Sequence, residues 1–178
     1  SFDYDLVFTG NMSYHPNVQA AIFLVQEILP SLRQQGLELT VCLAGTSPTS
    51  AIKALAGSMV TVTGRVPDLK PYLRSSRLFV APLFSGSGLQ NKLLESMAMS
   101  LPTLSTPLAN QALKAKPSQM LSCTDLDSFC NHIISLIKDE EQAVDLAKNG
   151  HAYVSKHFQW RHFNELLEDR LINLVGQS

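Results

Sequence analysis

The amino-acid sequence predicts an α/β protein built on an open parallel sheet, and three observations carry that prediction. Short apolar runs rich in Val, Leu and Phe alternate with stretches whose apolar residues recur at helical spacing. Each run is followed by a helix, the pattern of a parallel sheet covered on both faces. The chain of 178 residues is 45% hydrophobic and only 16% charged. A chain of that length is about one domain and buries roughly 70% of the surface it exposes when unfolded.

The elements follow in order. Asp5–Gly10 reads as a first strand ending in glycine. Pro16–Gln35 carries Val18, Ala21, Ile22, Val25, Ile28, Leu29 and Leu32 on a helical period, with Pro16 suited to a first turn and Gly36 to a stop. Leu39–Gly45 is a second strand, Pro48–Ala56 a short helix, and Val60–Gly64 a third strand. A brief helix opens at Pro67-Asp68 and runs to Leu73. Leu78–Pro82 is a fourth strand, Gly88–Met99 a helix, Pro102–Thr106 a fifth strand and Gln119–Ser122 a short sixth. Helices are then expected over Leu126–Lys138, Glu140–Lys156 and Trp160–Val175, the first capped by Thr124 or Asp125. The fold is therefore an open α/β sandwich of the Rossmann type, about six strands with a helical C-terminal region. In such sheets ligands bind at the carboxyl ends of the strands, which here close on Gly10, Gly45, Gly64 and Ala81-Pro82.

Composition removes several classes of function. With 14 Lys+Arg against 15 Asp+Glu the formal charge is −1, which argues against a broad nucleic-acid surface. No apolar run approaches the ~18 residues of a membrane helix. The start, Ser1-Phe2-Asp3-Tyr4-Asp5, has no signal-peptide pattern and no initiator Met, and reads as a piece of a longer protein. Cys42, Cys123 and Cys130 form no CxxC pair and read as reduced core thiols. No HxxxH spacing or Cys/His cluster suggests a metal site.

The stretch Ser85-Gly86-Ser87-Gly88-Leu89-Gln90-Asn91-Lys92-Leu93-Leu94-Glu95 stands out. A loop of small residues follows a buried strand and opens a helix. Glycines let backbone N–H groups approach a ligand, and a helix N-terminus favours negative charge. Ser85 and Ser87 add hydroxyls, and Lys92 and Glu95 share a helix face. A phosphate at the loop and a sugar at the carboxylate would suit these residues; a flexible turn with a surface ion pair would suit them as well.

The run Gly88–Met99, followed by Pro102 and Ser105-Thr106-Pro107, resembles the donor segment of family-four retaining glycosyltransferases, enzymes of the GT-B fold. Val7–Met12 with Pro16-Asn17 resembles the opening of their C-terminal domain. Ala44–Pro48, Val62–Asp68 with Pro71-Tyr72-Leu73, and Tyr153-Val154 with Phe158-Gln159-Trp160 resemble later segments in the same order. The resemblance implies that residues 1–178 are a single donor-binding domain, one half of a GT-B architecture. An acceptor-binding domain of the same protein would precede it. The whole protein would move a hexosyl group, with retention, from a nucleotide-sugar to a glycan or other acceptor in polysaccharide biosynthesis. It would do so without a metal, in the cytoplasm or at the cytoplasmic face of a membrane, and this piece alone would not turn over.

Carried over residue by residue, the resemblance gives Glu95 the nucleotide ribose, since a carboxylate accepts from paired hydroxyls. Gly64, Arg65 and Val66 would hold the base. Ser85, Gly86, Ser87, Gly88, Leu89, Gln90 and Asn91 would cradle the diphosphate, with Lys92 adding charge. Gly10 and Asn11 would lie beneath the sugar phosphate. The sequence departs from the family in several places. Ser87 stands where many relatives carry a further glutamate, and Ala109-Asn110-Gln111-Ala112 replaces a Gly-x-Glu-Gly turn. Ser100 replaces a usual glycine. No Lys or Arg precedes Arg33, leaving His15 as the candidate cation of that loop. A GT-B-like sugar-nucleotide epimerase and a degenerate, non-catalytic donor-like module are the alternatives. His132, His151, His157 and His162 read as surface or interhelical residues, Asp139-Glu140-Glu141 as a solvated helix start, and Phe158, Trp160 and Phe163 as packing.

Overall fold

The computed structural model describes residues 1–158. Its six strands are β1 (Tyr4–Thr9), β2 (Val41–Ala44), β3 (Val60–Val62), β4 (Ser76–Val80), β5 (Thr103–Ser105) and β6 (Leu121–Ser122). They form one sheet in the order β3-β2-β1-β4-β5-β6, with every pairing parallel. The order reverses between β1 and β4, and a crevice opens at such a switch point beyond the strand ends. The expected six-stranded Rossmann-like sheet is present, and the strands differ from the sequence reading only at their ends. The central strands are sealed: Leu6, Val7, Phe8, Val41, Cys42, Leu43, Ala44, Phe79 and Val80 expose no surface. That burial on both faces is why their sequences are continuously apolar rather than alternating.

The helix expected over Pro16–Gln35 is continuous but not uniform. It runs as α1 (His15–Phe23), a π-helical turn at Leu24–Ile28, and α2 (Leu29–Gln34). Pro30, just beyond that turn, has no N–H to donate and its ring crowds the carbonyl four residues back. A π turn is one way for a helix to absorb that defect without breaking.

The remaining helices are α3 (Ser50–Lys53), α4 (Lys70–Arg74), α5 (Asn91–Ala98), α6 (Pro107–Leu113), α7 (Leu126–Lys138) and α8 (Glu140–His157). Right-handed crossovers place the helices on opposite faces according to the direction of travel along the sheet. The α1–α2 helix packs with α3 and α7, whereas α5 packs with α8. Helix α6 has no counterpart in the sequence reading, although its start is locally encoded. Thr106 caps it by accepting from the Ala109 N–H at 3.2 Å, and Pro107 occupies the first turn. Asp125 rather than Thr124 caps α7, in a reciprocal capping box with Ser128. Asp139 caps α8 through the Gln142 N–H.

The three cysteines are buried and free, and burial raises the Cys42 and Cys123 thiols to about 12, as core thiols should be. The helix expected over Trp160–Val175, with Trp160, His162 and Phe163, lies outside the described residues. No helix among those described is long and apolar enough to cross a membrane.

Candidate functional site

A crevice of about 490 Å³ opens at the carboxyl ends of β1 and β2, beside the start of α5. Its floor is made by two glycines that touch. Gly10 follows β1, Gly45 follows β2, and the Gly10 N–H donates to the Ala44 carbonyl at 3.1 Å. A Cβ on Gly45 would stand 1.8 Å from the Gly10 carbonyl oxygen, so only glycine fits there. A Cβ on Gly10 would stand 2.7 Å from Asn17 Nδ2 and 3.1 Å from Lys92 Nζ. The missing side chain leaves that space to a cation and its partner.

Helix α5 supplies the polar wall. Its N-cap, Gln90, makes no side-chain cap, and the first N–H groups of a helix have no partner within it. Gln90, Asn91, Lys92 and Glu95 all line the crevice. The Lys92 ammonium donates to Asn17 Oδ1 at 2.5 Å and lies 5.4 Å from the centre of the Phe8 ring. Burial lowers its pKa to about 8, and the nearby Glu95 carboxylate opposes that shift only in part. The ammonium is thus turned toward β1 instead of forming a surface ion pair with Glu95. Glu95 is exposed at the mouth of the crevice. Partial desolvation raises its pKa, with Lys92 pulling the other way. Val66, Leu69 and Leu89 give the crevice an apolar side, and Tyr14 and Thr46 complete it.

Of the residues expected to bind the donor, Gly10, Asn11, Val66, Leu89, Gln90, Asn91, Lys92 and Glu95 are brought together here. His15, Gly64, Arg65, Ser85, Gly86, Ser87 and Gly88 do not line the crevice. His15 and Arg65 are exposed to one side. Ser85 Oγ donates to Gln19 Oε1 at 3.0 Å, and Gly86 lies against Pro16 and Tyr14. The loop holding Ser85–Gly88 is anchored at its root by buried hydroxyls: Ser105 Oγ donates to the Ala81 carbonyl at 2.7 Å, and Thr106 Oγ1 donates to the Leu83 carbonyl.

Asn110, within α6, is bonded to the Ala115 backbone through both ends of its amide, at 2.8 and 2.9 Å. It braces the segment after α6. Tyr14 and Leu69 line the crevice with no signal in a motif reading, and Thr46, within the Ala44–Pro48 segment, lines it with no role given by that segment, because each reaches the crevice through strand order and not through spacing.

A family profile described as Glycosyl transferases group 1 matches residues 3–139. An uncharacterized 44.6 kDa protein in the cps region of Klebsiella pneumoniae is 20% identical over 164 residues, covering 86% of this chain and 42% of that protein. Among solved structures, sucrose-phosphate synthase from Thermosynechococcus elongatus is similar with a TM-score of 0.72 at 19% identity, over 99% of this chain and 47% of that one. HepE from Anabaena, in complex with UDP and glucose, gives 0.73 at 16% identity, over 94% and 48%. The chain therefore spans less than half the length of these relatives. The profile match covers well over half of the chain, and the fold is that of a GT-B domain: the chain belongs to the group 1 glycosyl transferases.

Proposed function

We propose that this chain is the donor-binding domain of a glycosyltransferase, and that the crevice holds a nucleoside-diphosphate sugar. The observation that carries the reading is the Lys92 ammonium. It is half-buried, partly desolvated and turned into a crevice at the sheet's switch point, beside an uncapped helix start. A cation held this way is stabilised by a bound anion, and the α5 N-terminus adds to the same potential. Glu95, one turn further along the helix, offers carboxylate oxygens to ribose hydroxyls. Val66 and Leu69 offer an apolar wall to a base, and UDP is the first nucleotide to try because HepE is found with it.

In the whole protein the reaction would be transfer of a hexosyl group to a glycan or other acceptor, with retention at the anomeric carbon. A preceding domain would supply the acceptor face. As the glycosidic bond to the diphosphate breaks, charge grows on the leaving phosphate oxygen. Lys92 and the α5 N–H groups stabilise that charge without reorganising, a role that elsewhere falls to a metal ion. The genomic setting of the Klebsiella relative, a cps region, fits polysaccharide synthesis. A cytoplasmic location follows from the same reading.

The test is calorimetric titration of the chain with UDP, GDP and their sugar conjugates in the presence of EDTA, beside Glu95→Ala. Saturable binding of one nucleotide, weakened on the order of tenfold in the variant, is expected. Two observations favour a second reading, a donor-like module that no longer binds. Lys92 is the sole Lys or Arg lining the crevice among the described residues, and Ser87 stands at the position of the family's further glutamate. Absence of binding by any nucleotide at millimolar concentration, both in this chain and in the longer protein, would establish that reading instead.

A further inference from the structure

Asn17 belongs to the Pro16-Asn17 pair but receives no role from the family resemblance. It is only 3% exposed, and its place in the first turn of α1 puts its amide between two segments distant in sequence. Oδ1 accepts from Lys92 Nζ at 2.5 Å. Nδ2 donates to the Asn11 carbonyl at 3.0 Å. Asn17 Nδ2 and the Lys92 ammonium both lie where a Cβ on Gly10 would stand, at 2.7 and 3.1 Å from it. The pairing needs an acceptor and a donor on one short side chain. Aspartate would provide the acceptor but no donor for the Asn11 carbonyl, and its charge would cancel that of the ammonium. Asparagine provides both ends and leaves the positive charge intact.

We propose that Asn17 is the positioning residue of this crevice: a neutral amide that fixes the Lys92 ammonium under Gly10, fixes the loop after β1 above it, and keeps the cation uncancelled for a bound diphosphate. Its purpose rests on the donor-site reading, whereas its hold on Lys92 does not. The groups facing Lys92 are few. Glu95 comes from its own helix, Tyr14 from the loop after β1 and the Phe8 ring from β1, while Gly45, Thr46 and Val66 bring no charge from the loops after β2 and β3. The lowered pKa of Lys92 agrees with an ammonium held by a neutral acceptor and not by an ion pair.

The experiment follows the Lys92 side-chain carbon resonance by NMR through a pH titration of the nucleotide-free chain, in wild type, Asn17→Asp and Asn17→Ala. UDP affinity at pH 7 and thermal melts are measured in parallel. A carboxylate at hydrogen-bond distance raises an amine pKa by about 1–3 units, so Asn17→Asp should move the Lys92 midpoint up by at least about one unit. It should also weaken UDP on the order of tenfold with little change in melting. Asn17→Ala should move the midpoint down. An unchanged midpoint in Asn17→Asp overturns the proposal, whatever UDP does. A moved midpoint in a chain that binds neither UDP nor GDP sinks the nucleotide reading and leaves Asn17's hold on Lys92 standing. Should both variants fail to fold, the wild-type spectrum decides. The Asn17 amide resonances shift along with the Lys92 titration if the two are bonded, and stay fixed if they are not.

Discussion

The two ends of the sheet make an instructive pair. At the amino ends of β1 and β4 lies a hollow of about 560 Å³, lined by Phe2, Asp5, Arg77, Leu101, Pro102 and Val144 among others. It is larger than the crevice at the carboxyl ends, at about 490 Å³. Both contain a cation. At the amino end Arg74 is exposed to solvent, and the half-buried Arg77 is already satisfied, 3.5 Å from Asp5 Oδ1 and donating to the Ile137 carbonyl at 3.0 Å. At the carboxyl end Lys92 is half-buried on a neutral amide, with no carboxylate at salt-bridge distance among the described residues. Volume does not separate a site from a packing gap; the state of the charges does. A cation whose charge is met locally holds the fold together, and one whose charge is left unmet is available to a ligand.

The largest effect should come from closing the floor of the crevice. Gly45→Ala drives a Cβ into the Gly10 carbonyl, and overpacking of this kind costs about 3 kcal/mol. Urea denaturation should show a lowered midpoint or a chain that no longer folds. A variant as stable as wild type would mean the two strand ends are further apart than described.

Lys92→Met comes next. UDP affinity should fall on the order of 30-fold, since hydrogen bonds to charged groups contribute about 2 kcal/mol, with melting unchanged or slightly raised. The pH dependence sharpens this. Only the protonated amine attracts the diphosphate, so wild-type affinity should decline as pH rises through about 8. Folding stability should run the other way. The folded-state pKa lies below the unfolded value of 10.5, so the folded chain binds fewer protons between those two values. Stability from this group therefore rises with pH across that window. Both slopes should vanish in Lys92→Met.

The smallest effect belongs to the opposite end. Arg77→Ala removes one ion pair and one carbonyl contact from a side chain that is 34% exposed. Solvent screening limits the loss to about 1 kcal/mol, read by thermal melting, with UDP affinity unchanged. A loss of binding in this variant would erase the contrast between the two ends.

Much of the fold is legible in the sequence because strands and helices bury different periods. Val7-Phe8 and Leu78-Phe79-Val80 are continuously apolar because both sheet faces are covered, and Leu126–Lys138 matches α7 at both ends because its caps are local. Helix α6 is short, and its Thr106-Pro107 start sits directly after a strand, where a loop reading fits the residues equally well. The π turn at Leu24–Ile28 repeats the helical hydrophobic pattern and leaves no trace in it beyond Pro30. On α5, the shared face of Lys92 and Glu95 is fixed by helical spacing alone, and both line the crevice.

By itself, then, the sequence determined the order of elements, the buried thiols and the helix that carries the charged pair, because each depends on neighbours within a turn or a strand. Only the tertiary structure decided which partner Lys92 takes. The bond to Asn17 spans 75 positions and exists because β1 and β4 lie side by side at the reversal of strand order. The contact of Gly45 with Gly10 and the pairing of Asp5 with Arg77 have the same origin. Local pattern specifies which residues face inward. Which of them meet across the sheet is set by strand neighbourhood, and there a small residue, a neutral amide and a desolvated ammonium acquire a joint role that none has alone.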